Sequence, residues 1–229
     1  MAENIVLPSL KGKCIIITGG ARGIGAAGAR LLASQGAKLA IFDIRDDLGY
    51  TVAKEISSTS AAQAKYYHVD VSKKADISDA VSSAVRYLGG VHCFLHAAGI
   101  GHQSPCEDLT EDEVNRMVDV NLKGTIYANQ AVFPYMKKSG GSILNVGSDT
   151  GLDPFPGLAH YSASKGAVHS FTRTIAKEWG SYNIRVNALL PAAWTDLVEE
   201  HMSRMSPDES HQLDKYCLVV SVSVGSQAT

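Results

Sequence analysis

Six short apolar runs alternate with helical stretches along this chain, and that alternation restricts its fold more than any other feature. CIIITGG (14–20), AKLAIFD (37–43), KYYHVDV (65–71), VHCFLHAAG (91–99), SILNVGS (142–148) and NIRVNALLP (183–191) read as strands. Between them, AAGARLLASQG (26–36), TVAKEISSTS (51–60), ISDAVSSAVRYLGG (77–90), the stretch from Glu111 to Met136 and residues 161–179 read as helices. Parallel neighbours need a long crossover, which a helix supplies. Runs that are apolar throughout suit strands buried on both faces. The expected fold is α/β: one doubly wound parallel sheet with helices on both faces, in a single domain over residues 1–229.

Composition narrows the function classes. Apolar residues make up 45% of the chain and charged residues 19%, which suits a packed globular core. A net charge of −2 with no block of like sign argues against nucleic acid or a membrane surface as partner. Cys14, Cys93, Cys106 and Cys217 form no C-x-x-C pair and are expected to be reduced, as in a cytoplasmic protein. The first residues lack a basic segment followed by a long apolar one, so no secretory signal is expected. No apolar run reaches a membrane span, and no histidine spacing suggests a metal. His160 reads as a solvated loop residue.

TGGARGIG (18–25) lies where the first strand feeds the first helix. Gly19, Gly23 and Gly25 let the backbone turn tightly and approach a pyrophosphate, and the helix start offers free N–H groups to it. Asp43 ends the second strand, where a carboxylate can bond ribose hydroxyls and repel a 2′-phosphate, favouring NAD over NADP. Arg22 and Arg45 argue the other way, since either can meet a 2′-phosphate. Asp70 ends the third strand and can accept from an adenine amino group or cap the following helix.

Tyr161 and Lys165 stand four apart in YSASK (161–165), which makes them neighbours on a helix surface. A cation beside a phenol stabilises the phenolate and lowers its pKa, so Tyr161 becomes a candidate general acid and base. The fifth strand is expected to end at Ser148, and ligands of doubly wound sheets bind beyond the strands' C-terminal ends. Ser148 would then point into the crevice that holds Tyr161.

In TGGARGIG, Asp70-Val71, HAAG (96–99), NLKG (121–124), Ser148, YSASK and NALLP (187–191), the chain resembles the short-chain dehydrogenase/reductase family over about residues 11–197. The resemblance implies a Rossmann fold, a homo-oligomer, and hydride transfer between NAD(P) and a small carbonyl or alcohol substrate. It implies that Asn121 orients a helix kink, Ser148 binds the substrate oxygen, Tyr161 is the acid/base, and Lys165 lowers the Tyr161 pKa. It further implies a cofactor held by Gly19, Arg22, Gly23, Ile24, Gly25, Asp43, Asp70 and Val71. Ala98, Gly99, Asn121, Tyr161, Lys165, Pro191 and Thr195 complete that set. A non-catalytic nucleotide-binding chain or oligomer partner is the alternative.

The chain departs from the family pattern in three places. The usual N-N-A-G is HAAG, with His96 in place of an amide. The usual P-G after the sixth strand is Pro191-Ala192-Ala193-Trp194-Thr195. The tail KYCLVVSVSVGSQAT (215–229) fits no family pattern, so the last helix and strand are expected to be shortened or missing. Two outcomes are open for that tail: SPDESHQLDKY (206–216) as a helix delivering LVVSVSV (218–224) as a substitute strand, or disorder and aggregation. Leu152, Pro154 and Phe155 suggest an apolar wall for a cyclic or aromatic substrate.

Overall fold

The centre of the sheet is its most apolar strand. All five residues of β1 (Cys14–Thr18) are buried, and Ile15, Ile16 and Ile17 are at most 1% exposed. In the computed structural model, which describes residues 9–59 and 62–191, β1 pairs in parallel with β2 (Lys38–Asp43) and β4 (Cys93–His96). Outside these lie β3 (Ala64–His68) on one flank, and β5 (Gly141–Val146) and then β6 (Ile184–Leu189) on the other. The order is β3-β2-β1-β4-β5-β6, all parallel, as the doubly wound reading expects.

Side-chain alternation splits β1 between two cores. Ile15 and Ile17 face α1 (Gly23–Ser34) and α2 (Asp46–Thr59). Cys14 and Ile16 face α3 (Lys74–Leu88), α5 (Gly124–Met136) and α6 (Ala159–Trp179). Burying each Ile or Phe side chain of this sheet contributes about 1.5–3 kcal/mol. Helix α1 meets the sheet through Ala26, Ala29 and Ala33, whose small side chains let it lie close. Helix α3 ends at Gly89, whose φ of 84° is the left-handed cap glycine favours.

Several expected boundaries move. β3 stops at His68, so Asp70 lies two residues beyond the strand, and β5 stops at Val146, so Ser148 lies beyond it too. Apolarity continues past the last paired residue in both places, and Val69 and Gly147 still donate to Asp43 C=O at 2.9 Å and Leu189 C=O at 2.8 Å. β3 and β6 are not apolar throughout: Lys65 and Arg185 are exposed, because these strands are outermost among the described residues. The long helix expected from Glu111 to Met136 is three pieces. α4 (Glu111–Met117) is closed by a capping box between Thr110 and Glu113, a π-helical turn spans Val118–Lys123, and α5 follows. His160 is buried at the start of α6, edge-on to His102, rather than solvated. The expected tail helix, the tail strand, Trp194 and Thr195 lie outside the described residues.

Candidate active site

The sheet order reverses between β1 and β4, and the loops leaving their carboxyl ends form the crevice. The glycine loop after β1 is bent by Gly19 and Gly23, with φ of 64° and 53°. A Cβ on Gly19 would lie 2.6 Å from the Ala98 nitrogen, and one on Gly25 would lie 2.1 Å from the Gly19 oxygen. A Cβ on Gly23 would meet nothing within 4 Å. The loop is therefore packed tightly beneath and open above. Helix α1 begins there with no acid in its first turn and no side-chain cap, so its free N–H groups and positive dipole end are uncompensated. Asp43 holds the loop from the neighbouring strand: one carboxylate oxygen accepts from Ala21 N–H at 3.0 Å and the other from Arg45 N–H at 3.0 Å. Asp70 accepts from the Ser72 N–H and hydroxyl at 3.0 and 2.6 Å and lies 3.5 Å from Lys73, so it closes a turn ahead of α3, whose N-cap Lys73 has no side-chain cap bond.

Across the crevice, the π-helical turn carries Asn121, which is 1% exposed. Its amide pairs with the backbone of Ile100: Oδ1 accepts from Ile100 N–H and Nδ2 donates to Ile100 C=O, each at 2.9 Å. Nδ2 also lies 3.1 Å from the Ser164 hydroxyl on α6. The Asn121 carbonyl accepts from the Thr125 hydroxyl at 2.5 Å. One amide thus ties the loop after β4 to the helix that carries Tyr161 and Lys165.

Ser148 is 7% exposed, and its side chain acts to lower the pKa of the Tyr161 hydroxyl. Its hydroxyl also lies 2.9 Å from Thr150 Oγ1 and 3.2 Å from an Asp149 carboxylate oxygen. Lys165 is 5% exposed, donates to Val146 C=O at 2.9 Å, and sits 5.8 Å from the centre of the Tyr161 ring. Burial pushes the Lys165 ammonium down to about 8. Burial pushes the Tyr161 hydroxyl above its ordinary value, the Ser148 side chain works against that rise, and Asp149 adds to it. This differs from the depression expected from Lys165, because four-residue spacing carries no information about desolvation. A Cβ on Gly99 would lie 3.3 Å from Asn121 Oδ1 and 3.4 Å from Lys165 Nζ, so this glycine covers the pair.

A family model described as short chain dehydrogenase matches residues 13–205. The chain belongs to the short-chain dehydrogenase family. It is 38% identical over 204 residues to a 3-alpha-(or 20-beta)-hydroxysteroid dehydrogenase of Mycobacterium bovis, covering 89% of this chain and 75% of that one. It is 37% identical over 186 residues to the trans-4-hydroxycyclohexanecarboxylate dehydrogenase of Sinomonas cyclohexanicum, covering 79% and 72%. Among solved structures, a 3-ketoacyl-(acyl-carrier-protein) reductase from Brucella melitensis complexed with NADH superimposes with a TM-score of 0.78 at 37% identity, covering 83% and 80%. Relatives named as dehydrogenases and reductases make this short-chain dehydrogenase an oxidoreductase of the CH–OH class.

The described residues of this family member fit a nicotinamide dinucleotide. The glycine cradle is open where a Cβ at Gly23 would stand, the first turn of α1 offers uncompensated N–H groups, and Asp43 stands at the adjacent strand end. Ala98 and Gly99 face the loop and the Asn121–Lys165 pair. His96, the departure from the family pattern, is 1% exposed and lies 2.8 Å from Thr18 Oγ1 through Nδ1. Thr18 in turn accepts from Ala98 N–H at 3.3 Å. Burial, then Lys165, holds His96 down to about 3, so it is neutral. Arg22 is exposed on the loop, Ile24 and Pro191 are partly buried, and Val71 packs against the Gly124 position. Leu152 is 64% exposed and lines a groove with α6 and β6. His169, on the same helix as Tyr161 and Lys165, also touches the Ser148 backbone and was not expected from sequence. Its signal was present as a histidine four residues after Lys165, read against glycines at 147 and 151.

Proposed function

We propose that this chain is an NAD-preferring dehydrogenase or reductase of a ring-bearing secondary alcohol or ketone. The observation that carries the reading is the buried Lys165 ammonium 5.8 Å from the centre of the Tyr161 ring, with the Ser148 side chain acting on the Tyr161 hydroxyl. Ser148 and Tyr161 together offer a substrate oxygen two hydroxyls from one side. In reduction, Tyr161 gives its proton to that oxygen; its raised pKa keeps it protonated at neutral pH and suits it to the acid role. The phenolate left behind is stabilised by the Lys165 ammonium, and in oxidation that phenolate takes the proton back from the alcohol. Asn121 holds the loop after β4 against α6, so Tyr161 and Lys165 keep their place. A bound nicotinamide dinucleotide supplies the hydride or accepts it. Asp43 favours NAD through the ribose hydroxyls, and the exposed Arg22 and Arg45 are the opposing influence. Ring-bearing substrates are inferred from the cyclohexane named in one relative, with Leu152 and Phe155, which follow the Ser148 turn in the chain, as the apolar residues offered to them.

The test is turnover of a panel of ring ketones with NADH by the purified chain and by Tyr161→Phe. The variant should lose about 10²- to 10⁴-fold in kcat while still binding NADH. Parent-like turnover by the variant would remove Tyr161 from the chemistry. NADH binding with no turnover by the parent on any substrate would favour the non-catalytic alternative.

A further inference from the structure

The hydroxyl of Ser148 lies 2.9 Å from Thr150 Oγ1 and 3.2 Å from an Asp149 carboxylate oxygen, while its peptide N–H reaches α6. There it donates to Nε2 of His169 at 3.3 Å. His169 stands four residues after Lys165, is 5% exposed, and lies flat under the turn that carries Ser148. The turn makes room for it with two glycines. A Cβ on Gly147 would lie 2.3 Å from His169 Nε2, and a Cβ on Gly151 would lie 2.7 Å from its Cε1 and 2.8 Å from the Gly166 nitrogen. Gly147 and Gly151 bracket Ser148, Asp149 and Thr150, so the imidazole fills a slot spanning the whole turn. Two further bonds stiffen the segment: Gly147 N–H donates to Leu189 C=O at 2.8 Å, and Thr150 N–H donates to Ser148 Oγ at 3.3 Å.

An N–H donor can be received only by a ring nitrogen without a proton. The contact therefore specifies a neutral His169 with its hydrogen on Nδ1. Burial opposes a positive charge there first, and Lys165 and Arg173, on the same helix, add to it.

We propose that His169 is a positioning residue for the reaction. As the Nδ1–H tautomer, it anchors the Ser148 main chain from below and thereby fixes the Ser148 hydroxyl against Tyr161. This inference rests on the Ser148–Tyr161 chemistry proposed above. His169 touches no reacting atom; it acts through the peptide of Ser148. A shift of about 1 Å in a substrate-holding group costs on the order of a hundredfold in rate, which a lost anchor can produce.

The test compares His169→Leu, which keeps an apolar filler and removes the acceptor, with His169→Gln, whose amide oxygen can accept from the same N–H. Both are measured beside the parent with NADH and a turned-over ring ketone. His169→Leu should lower kcat by about ten- to a hundredfold, with the NADH affinity unchanged, and His169→Gln should recover most of the loss. Parent-like kcat in His169→Leu, or equal impairment of the two variants, overturns the proposal. Should the variants fold poorly, the imidazole ¹⁵N shifts of the parent decide: Nδ1–H is expected, and a proton on Nε2 overturns it. A parent without turnover sinks the oxidoreductase reading and this one together. A parent that depends on Tyr161 but not on His169 sinks only this one.

Discussion

Replacing Gly25 by Ala and Gly23 by Ala should separate a glycine turn that merely folds from one that also holds a phosphate. A Cβ at Gly25 would stand 2.1 Å from the Gly19 oxygen and 2.8 Å from its carbonyl carbon, both backbone atoms. Relief requires the loop to retreat by about 1 Å. Gly19 cannot absorb that toward β4, because its own Cβ position is already 2.6 Å from the Ala98 nitrogen. Overpacking of this kind costs about 1–3 kcal/mol. For a chain of this size that lowers Tm by about 2–12 °C. A displacement of about 1 Å in the groups that bind the cofactor should also cost on the order of a hundredfold in affinity. Gly23→Ala is different. Its Cβ meets no protein atom within 4 Å, so the folding cost is the strain of an L-residue at φ 53°, about 1–2 kcal/mol. Its methyl enters the open space assigned to the pyrophosphate. The assays are thermal unfolding without nucleotide and fluorescence titration with NADH. Gly25→Ala should lose stability and NADH affinity together. Gly23→Ala should lose NADH affinity by more than about tenfold for a smaller fall in Tm. Parent-like melting and binding in Gly25→Ala would refute the packing argument. Parent-like NADH affinity in Gly23→Ala would refute the placement of the phosphate.

Two further outcomes are expected. Asp43→Ala removes the acceptor of two backbone N–H groups and the repulsion of a 2′-phosphate, so NADH affinity should fall by about tenfold or more and the NADPH-to-NADH preference should rise; an unchanged preference, measured by paired titrations, would take Asp43 out of cofactor selection. Lys165 binds its proton more weakly folded, at about 8, than unfolded, at 10.5, so stability should rise with pH across that window and the burial penalty should be complete below it. At pH 7, Lys165→Met without cofactor should therefore be more stable than the parent, by up to about 3 kcal/mol, and inactive, with the gap closing toward pH 10. Denaturant melts that show no gap at pH 7 would place solvent around Nζ.

Strand existence was legible because apolar, β-branched runs bounded by glycines mark strands buried on both faces. Strand ends were less so. Val69, Val71 and Gly147 prolong the apolar reading past His68 and Val146, where the ladder stops, and only pairing partners set that limit. The π-helical turn at Val118–Lys123 left no trace in composition, since neither proline nor glycine interrupts it. The candidate site residues were found as types at known spacings, but their electrostatics were not. Spacing placed Lys165 near Tyr161; it could not say that Lys165 would be tied to Val146 C=O, or that burial would raise the Tyr161 pKa. His169 escaped notice because its partner is a peptide N–H, and only its place four residues after Lys165 pointed to it.

The register of the sheet explains why buried polar groups can gather here without unfolding it. Thr18 on β1 pairs with His96 on β4, and His96 pairs with Asn145 on β5, so three neighbouring strands place a polar residue in one row. All three are at most 1% exposed. Most of their polar atoms are matched: Thr18 with His96 at 2.8 Å, Asn145 with Asn129 at 2.9 Å and with Thr172 at 3.1 Å. Two residues earlier on the same strands stand Ile16, Phe94 and Ile143, all in the apolar core. The row therefore marks where the core ends and the crevice begins. A slip of one residue in any of these strands would turn its polar member toward the other face and leave its partners buried and unpaired, at about 1–3 kcal/mol for each lost match. The same residues that end the core thus hold the strand ends in register, and the strand ends carry the glycine loop, the loop after β4 and the Ser148 turn. The candidate site is thus built from loops and helices hung on strand ends whose register the sheet fixes.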